Sequence, residues 1–93
     1  MMCGGFTAPA KAEGKAVELA KKHKADVETL LGKHFSKWEP VASKSQVVAG
    51  VNYDIKVDVG TEFISMRIYE PLPGQGETKL SSAKGGLTKE SAF

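Results

Sequence analysis

The sequence has 93 residues, of which 41% are hydrophobic and 26% are charged, and these proportions are ordinary for one globular domain. Its net charge is +2 and its acidic and basic residues interleave, which argues against a nucleic-acid partner. No segment approaches the roughly 20 apolar residues that span a bilayer, so no membrane partner is expected either. A chain of this length is also too short for a catalytic cleft between two domains.

Cysteine usage indicates a reducing compartment. Cys3 is the single cysteine, so no disulfide can form within the chain, whereas small secreted domains usually need such cross-links. Residues 1–15 contain no apolar core of signal-peptide length. We therefore expect a cytoplasmic protein in which Cys3 is an exposed thiol without a specific role.

The first third of the chain is predicted to be an extended start followed by one helix. Residues 1–11 are expected to be extended and flexible, because Gly4, Gly5 and Pro9 oppose helix formation. Residues 12–33 are rich in Ala, Lys, Glu and Leu and follow a helical period. The predicted apolar face of this helix consists of Val17, Ala20, Val27, Leu30 and Leu31, with His23 and His34 at its margins.

The remainder of the chain changes to the period of two that is typical of β-strands. Strands are predicted over residues 38–48, 51–59, 63–70 and 77–84. Apolar residues alternate with polar ones from Val51 to Val59, which predicts one buried face and one solvent-exposed face. The prediction is a single α+β domain over residues 1–93, with one helix packed across a four- to five-stranded antiparallel sheet.

The turn between the first two strands carries the most specific signal. It reads Gln46-Val47-Val48-Ala49-Gly50 and resembles the first inhibitory hairpin of the cystatin family, Gln-Val-Val-Ala-Gly. The following strand, Val51-Asn52-Tyr53-Asp54-Ile55-Lys56-Val57, is similar to the Thr-Asn-Tyr-X-Ile-Lys-Val strand of the stefin branch. The opening Met1-Met2-Cys3-Gly4 and the later turn Leu72-Pro73-Gly74-Gln75 also resemble stefins.

This resemblance implies a cystatin-like fold and a mechanism. It implies reversible, tight-binding, competitive inhibition of papain-like cysteine proteases of the cathepsin type, with no enzymatic activity, no cofactor and no metal. The N-terminal trunk and two hairpin loops would form a wedge that occludes the active-site cleft of the protease. The expected protease-binding residues are Gly4, Gly5, Gln46, Val47, Val48, Ala49, Gly50, Leu72, Pro73 and Gly74.

Structural interpretations of the same residues stay open. Val47 and Val48 could be ordinary hairpin residues, and Leu72 and Pro73 could serve turn formation alone. His23 and His34 are interpreted as ordinary helix-face residues, too far apart to share a metal ion.

Two alternative functions are weighed against inhibition. One is a non-inhibitory interaction module with the same fold. The other is a small enzyme, which is disfavoured because we find no Ser-His-Asp or Cys-His arrangement, phosphate-binding glycine motif or metal cluster. The chain is expected to be a monomer, with a domain-swapped homodimer as an alternative state if the first hairpin straightens.

Overall fold

The computed structural model describes residues 10–90 and contains two helices and five strands. In chain order these are β1 (Ala10–Lys11), α1 (Lys15–Lys22), α2 (Lys24–Leu31), β2 (Glu39–Val48), β3 (Gly50–Asp58), β4 (Phe63–Glu70) and β5 (Lys79–Leu87). The strands form one sheet in the order β1-β2-β3-β4-β5, and every adjacent pair is antiparallel. The predicted α+β fold class is confirmed.

The hydrophobic core lies between the helices and one face of the sheet. Alternate residues of β3 and β4 point into it, because successive side chains of a strand project to opposite faces. Burial of a large apolar side chain stabilises the fold by about 1.5–3 kcal/mol relative to exposure. The largest fully buried side chains are Leu19, Val27, Ile55, Val57, Ile64, Met66 and Ile68.

The helical segment is predicted correctly, but it forms two helices that meet at His23 instead of one. His23 has φ −101° and ψ 13°, which lies in the sparsely populated bridge region. His23 is bonded to both helices, since its N–H donates to the Leu19 carbonyl at 3.0 Å and its carbonyl accepts from the Val27 N–H at 3.0 Å. The two helices are therefore joined through His23, where the backbone is locally distorted.

The buried helical face differs in part from the predicted one. Leu30 is 58% exposed, whereas Leu31 packs against the core, because position 31 continues the stripe four residues beyond Val27. His23 was predicted at the margin of the face but lies within it and is 5% exposed. The buried residues of this stripe recur at the spacing of helical turns. They are Ala16, Leu19, Ala20, His23 and Val27.

The polar face of β3 is covered at its centre, contrary to the prediction of a solvent-exposed face. Asp54 and Lys56 are only 6% and 4% exposed. Arg67 on β4 donates two hydrogen bonds to the Asp54 carboxylate, from Nε at 2.7 Å and Nη2 at 2.9 Å. Lys56 Nζ donates to the Lys89 carbonyl at 2.9 Å and lies 5.5 Å from the centre of the Phe63 ring. Each buried charge is therefore compensated by a partner from another part of the chain.

The two edges of the sheet also differ from the prediction. Ala10 and Lys11 were assigned to the flexible start, but they pair with Ser43 and Ala42 of β2. At the other edge, β5 runs to Leu87, three residues beyond the predicted end of the last strand. Glu62 supports this extension, because its carboxylate accepts hydrogen bonds from the Gly86 N–H and from Lys33 Nζ.

We predict that Glu62 makes stability depend on acid pH. The Lys33 ammonium, followed by the Gly86 N–H, lowers the pKa of Glu62 below its ordinary value of 4.5. A carboxyl whose pKa falls on folding stabilises the native state above pH 4.5, and this contribution is lost as the pH drops through the folded pKa. Glu62→Gln should therefore lower the urea midpoint at pH 7, and the deficit should shrink towards pH 3.

Glu39→Gln is the matched control for this prediction, since it removes the same charge from a side chain that is 63% exposed and 3.8 Å from Lys37 Nζ. Its midpoint should follow the wild type across the pH range. A constant difference between wild type and Glu62→Gln at every pH would contradict the assigned role.

Candidate functional site

The first hairpin, residues 46–50, joins β2 to β3 in a tight turn. Val48 pairs with Gly50, which leaves Ala49 at the tip. Gly50 has φ +121°, a backbone conformation that side-chain-bearing residues rarely adopt. A Cβ at this position would also lie 2.5 Å from the Glu70 carbonyl oxygen and 2.8 Å from the Tyr69 hydroxyl oxygen. The turn therefore requires glycine for two independent reasons.

Contacts from neighbouring strands hold the turn in place. The Tyr69 hydroxyl on β4 donates a hydrogen bond to the Ala49 carbonyl. Within the hairpin, Asn52 Nδ2 donates to Gln46 Oε1 at 3.2 Å. Tyr69 is a supporting residue that sequence reasoning missed, because its contact depends on the β3–β4 register, in which Tyr69 lies opposite Asn52.

The turn presents apolar side chains to solvent. Val47 is 64% exposed and Val48 is 37% exposed. Among residues 10–90, the other large hydrophobic side chains that are exposed are Leu72, at 51%, and Leu30, at 58%. Three of these four were predicted as protease-binding residues, and only Leu30, on α2, was not.

The second loop, residues 71–78, joins β4 to β5 and begins with a compact turn. The Gln75 N–H donates to the Leu72 carbonyl at 2.9 Å. Pro73 and Gly74 are the two central residues, and Gly74 has φ +82°. Proline followed by a residue of positive φ matches a type II β-turn. The turn holds the exposed Leu72 at its first position.

The two loops lie side by side along one groove with a volume of about 530 Å³. Val47, Val48 and Gly50 line it from the first hairpin, and Leu72 and Pro73 line it from the second loop. Gln46, Ala49 and Gly74 belong to the same two turns. Gly4 and Gly5, the remaining predicted site residues, lie outside the described residues.

Two of the charged residues that line this groove are paired with each other. Lys15 Nζ of α1 lies 2.8 Å from Glu70 Oε2, and the Tyr53 hydroxyl donates to Glu70 Oε1 at 3.4 Å. The hydrogen bond to Glu70 raises the pKa of Lys15. Burial, and then the Glu70 carboxylate, raises the pKa of Tyr53. Lys15 and Tyr53 are therefore each held in the form that binds Glu70, as ammonium and as protonated phenol.

The described part of the chain has neither a metal-binding cluster nor a membrane-spanning helix. Within residues 10–90, no group of three His, Cys, Asp or Glu side chains is arranged to hold a metal ion. In the same range, no helix has both the length and the apolar character needed to cross a bilayer.

Comparisons with known proteins identify the family of this fold and site. A family model described as "Cystatin domain" matches residues 4–90. The chain is 41% identical over 76 residues to leukocyte cysteine proteinase inhibitor 1 of Sus scrofa, covering 81% of this chain and 74% of that protein. It is 38% identical to cystatin-A1 of Sus scrofa over 92 residues, covering 97% and 89%, and to cystatin-B of Homo sapiens over 78 residues, covering 83% and 80%.

The chain belongs to the cystatin family. Within the family it is of the stefin type, as the similarity to cystatin-A1 and cystatin-B shows. The resemblance predicted from residues 46–57 is therefore confirmed.

Proposed function

We propose that this protein is a reversible, tight-binding, competitive inhibitor of papain-like cysteine proteases and has no enzymatic activity. The observation that carries the proposal is that Val47, Val48 and Leu72 are exposed along one groove between two adjacent turns. Burying a fully exposed side chain of this kind is favourable by about 1.5–3 kcal/mol, and these three would each contribute the part that corresponds to their exposed area. The name of the relative, leukocyte cysteine proteinase inhibitor 1, supports a cysteine protease as that partner.

In this proposal the two loops form a wedge that fills the active-site cleft of the protease. Both loops are preformed: Gly50 packs against β4, Tyr69 holds Ala49, and residues 72–75 form a hydrogen-bonded turn. Preformed loops bind with a small loss of conformational entropy. The wedge blocks access of substrate without placing a peptide bond for cleavage, so inhibition is non-covalent and reversible.

Gly4 and Gly5 are proposed to complete the wedge as part of an N-terminal trunk. β1 is antiparallel to β2, so its N-terminal end is directed towards the first hairpin. Gly5 precedes Ala10 by five residues, and five extended residues span about 17 Å. Ser43, opposite Ala10, is also five residues from Val48. A trunk of this length can therefore reach the hairpin.

Deletion of residues 1–4 should mainly accelerate dissociation from the protease. Removing part of a three-part contact while leaving the two loops intact affects the lifetime of the complex more than the rate of encounter. We expect the dissociation rate from papain to rise about tenfold, measured by dilution of the preformed complex, with an unchanged urea midpoint. Equal dissociation rates would show that the trunk does not contact this protease.

The direct test of the function is titration of papain with the purified protein during hydrolysis of a small substrate. We expect activity to fall to zero near one equivalent of protein and to recover as the substrate concentration is raised. Full activity at micromolar protein would reject inhibition. Full activity together with a stable complex on size exclusion would instead support the alternative, a non-inhibitory interaction module.

We propose that the inhibitory form is a cytoplasmic monomer. The cytoplasmic location is supported by the single cysteine, which leaves the fold independent of an oxidising compartment. The monomer is favoured because Val47 and Val48 are exposed only while residues 46–50 are folded back as a turn.

A strand-swapped dimer should therefore lose inhibition. Straightening of residues 46–50 would exchange strands between two chains and remove the first loop of the wedge. We expect a dimer isolated by size exclusion to inhibit papain at least tenfold more weakly per chain than the monomer. A dimer that retains full inhibition would contradict this proposal.

A further inference from the structure

A buried histidine connects the helices to the second loop. His23 is 5% exposed and sits at the junction of α1 and α2. Its Nε2 lies 2.9 Å from Thr78 Oγ1, and its Nδ1 lies 2.8 Å from Asp26 Oδ2. Thr78 ends the loop 71–78 and lines the same groove as Val48 and Leu72. One side chain therefore joins the helix junction to the proposed binding surface.

For a neutral His23 ring, the chemistry of the two partners gives the direction of these hydrogen bonds. An ionised carboxylate can only accept, so the proton of a neutral His23 ring is on Nδ1 and points to Asp26. Nε2 is then an acceptor, and the Thr78 hydroxyl donates to it. Asp26 thus orients the ring, and the ring holds Thr78.

The rest of the loop has few other attachments. Its compact turn, residues 72–75, is closed by a hydrogen bond within the loop itself. Within residues 10–90, the bond between Thr78 and His23 is the one side-chain hydrogen bond or ion pair that we find between loop 71–78 and the helices. The position of this loop relative to α1 and α2 therefore depends on that bond together with the two strands that the loop joins, β4 and β5.

We propose that His23 is a positioning residue that holds the second loop in its binding geometry through Thr78. This inference rests on the proposed function, because the geometry in question is that of Leu72 and Pro73 beside the first hairpin. Loss of the bond should let the loop sample other positions in the free protein. Rigid loops bind with a lower entropic cost, so the complex with a protease should then dissociate faster.

Two pairs of variants separate the hydrogen bond from the volume of the side chain. Thr78→Val removes the hydroxyl at nearly constant size, and Thr78→Ser restores it. In His23→Asn the amide can take the place of Nδ1 beside Asp26, but it does not reach Thr78. The longer side chain of His23→Gln can place an acceptor near the position of Nε2. Thr29→Val is the matched control, since the Thr29 hydroxyl bonds to Ala25 within α2, away from the groove.

Dissociation from papain and amide hydrogen exchange of residues 72–78 are the two measurements. We expect Thr78→Val and His23→Asn each to raise the dissociation rate about three- to tenfold, the range for one lost hydrogen bond. Exchange in the loop should accelerate in the same two variants. Thr78→Ser, His23→Gln and Thr29→Val should stay near wild type. The double variant should be no worse than the more affected single variant, since both remove one interaction.

The outcomes separate this inference from the proposed function. If wild-type protein fails to inhibit papain, the proposed function is rejected. Amide hydrogen exchange of residues 72–78 still tests, in the free protein, whether the His23–Thr78 hydrogen bond holds the loop. The positioning role of His23 is rejected if Thr78→Val and His23→Asn leave the amide hydrogen exchange of residues 72–78 at the wild-type level. It is also rejected if their effects add fully in the double variant, because each residue would then act through a separate contact.

Discussion

Val48→Asp should weaken inhibition of papain by about three orders of magnitude. Val48 is 37% exposed on the groove beside Leu72, so the proposed complex would bury it against the protease. An unpaired carboxylate in that environment loses hydration in addition to the apolar contact of the valine. A combined penalty of about 4 kcal/mol corresponds to this change in the inhibition constant. The inhibition constant is obtained from steady-state rates at several protein concentrations.

Leu30→Asp is the matched control for Val48→Asp. Leu30 is also a large exposed hydrophobic residue, at 58%, but it lies on α2 and does not line the groove. This variant introduces the same charge and should inhibit papain like the wild type. Urea midpoints close to wild type in both proteins would show that the fold survives. Equal inhibition by Val48→Asp and Leu30→Asp would count against the first hairpin as a contact surface.

Local pattern in the sequence is sufficient to predict the three central strands, β2 to β4, and the two turns. The alternation from Val51 to Val59 identifies the core face of β3, and its residues Ile55 and Val57 are fully buried. The dipeptide Pro73-Gly74 predicts a turn because proline has a fixed φ and glycine adopts a positive one. In each case the relevant physical constraint involves residues that are near one another in the chain.

The features that the sequence did not predict depend on distant contacts. The composition of residues 15–31 favours a continuous helix, yet the helix is distorted at His23, whose ring is bonded to Thr78, 55 residues away. Asp54 and Lys56 read as solvent-exposed residues, and their burial depends on Arg67 and on the Lys89 carbonyl. Periodicity assigns a residue to a face of a strand, but it does not say what covers that face.

The same distinction applies within the candidate site. Exposed apolar residues at a hairpin tip stand out in the sequence, because an alternating strand pattern does not require two adjacent valines at a turn. The supporting contacts do not stand out: Tyr69 reads as one more aromatic strand residue. Its role depends on the antiparallel register of β3 and β4, which brings it to the hairpin and to Gly50. Residues of the proposed binding surface are thus easier to predict here than residues that hold them in place.

Gly50→Ala should both destabilise the fold and impair inhibition, because Gly50 combines a positive φ with a close approach to β4. The conformation at φ +121° alone costs an alanine about 1–3 kcal/mol. In addition, the new Cβ would be 2.5 Å from the Glu70 carbonyl oxygen, which is backbone, so the strand itself would have to move. We expect a loss of about 4 kcal/mol in the free energy of unfolding, measured with urea.

Gly76→Ala separates the two causes. Gly76 has a nearly identical φ, +128°, but no atom lies within 4 Å of the position that its Cβ would occupy. Its substitution should therefore show only the conformational cost, about 1–3 kcal/mol. The difference between the two variants measures the contact between the first hairpin and β4. Equal losses would mean that the hairpin adjusts freely, and a wedge that adjusts freely could not be preformed. A larger loss for Gly50→Ala, accompanied by weaker inhibition of papain, would link the rigidity of this turn to binding.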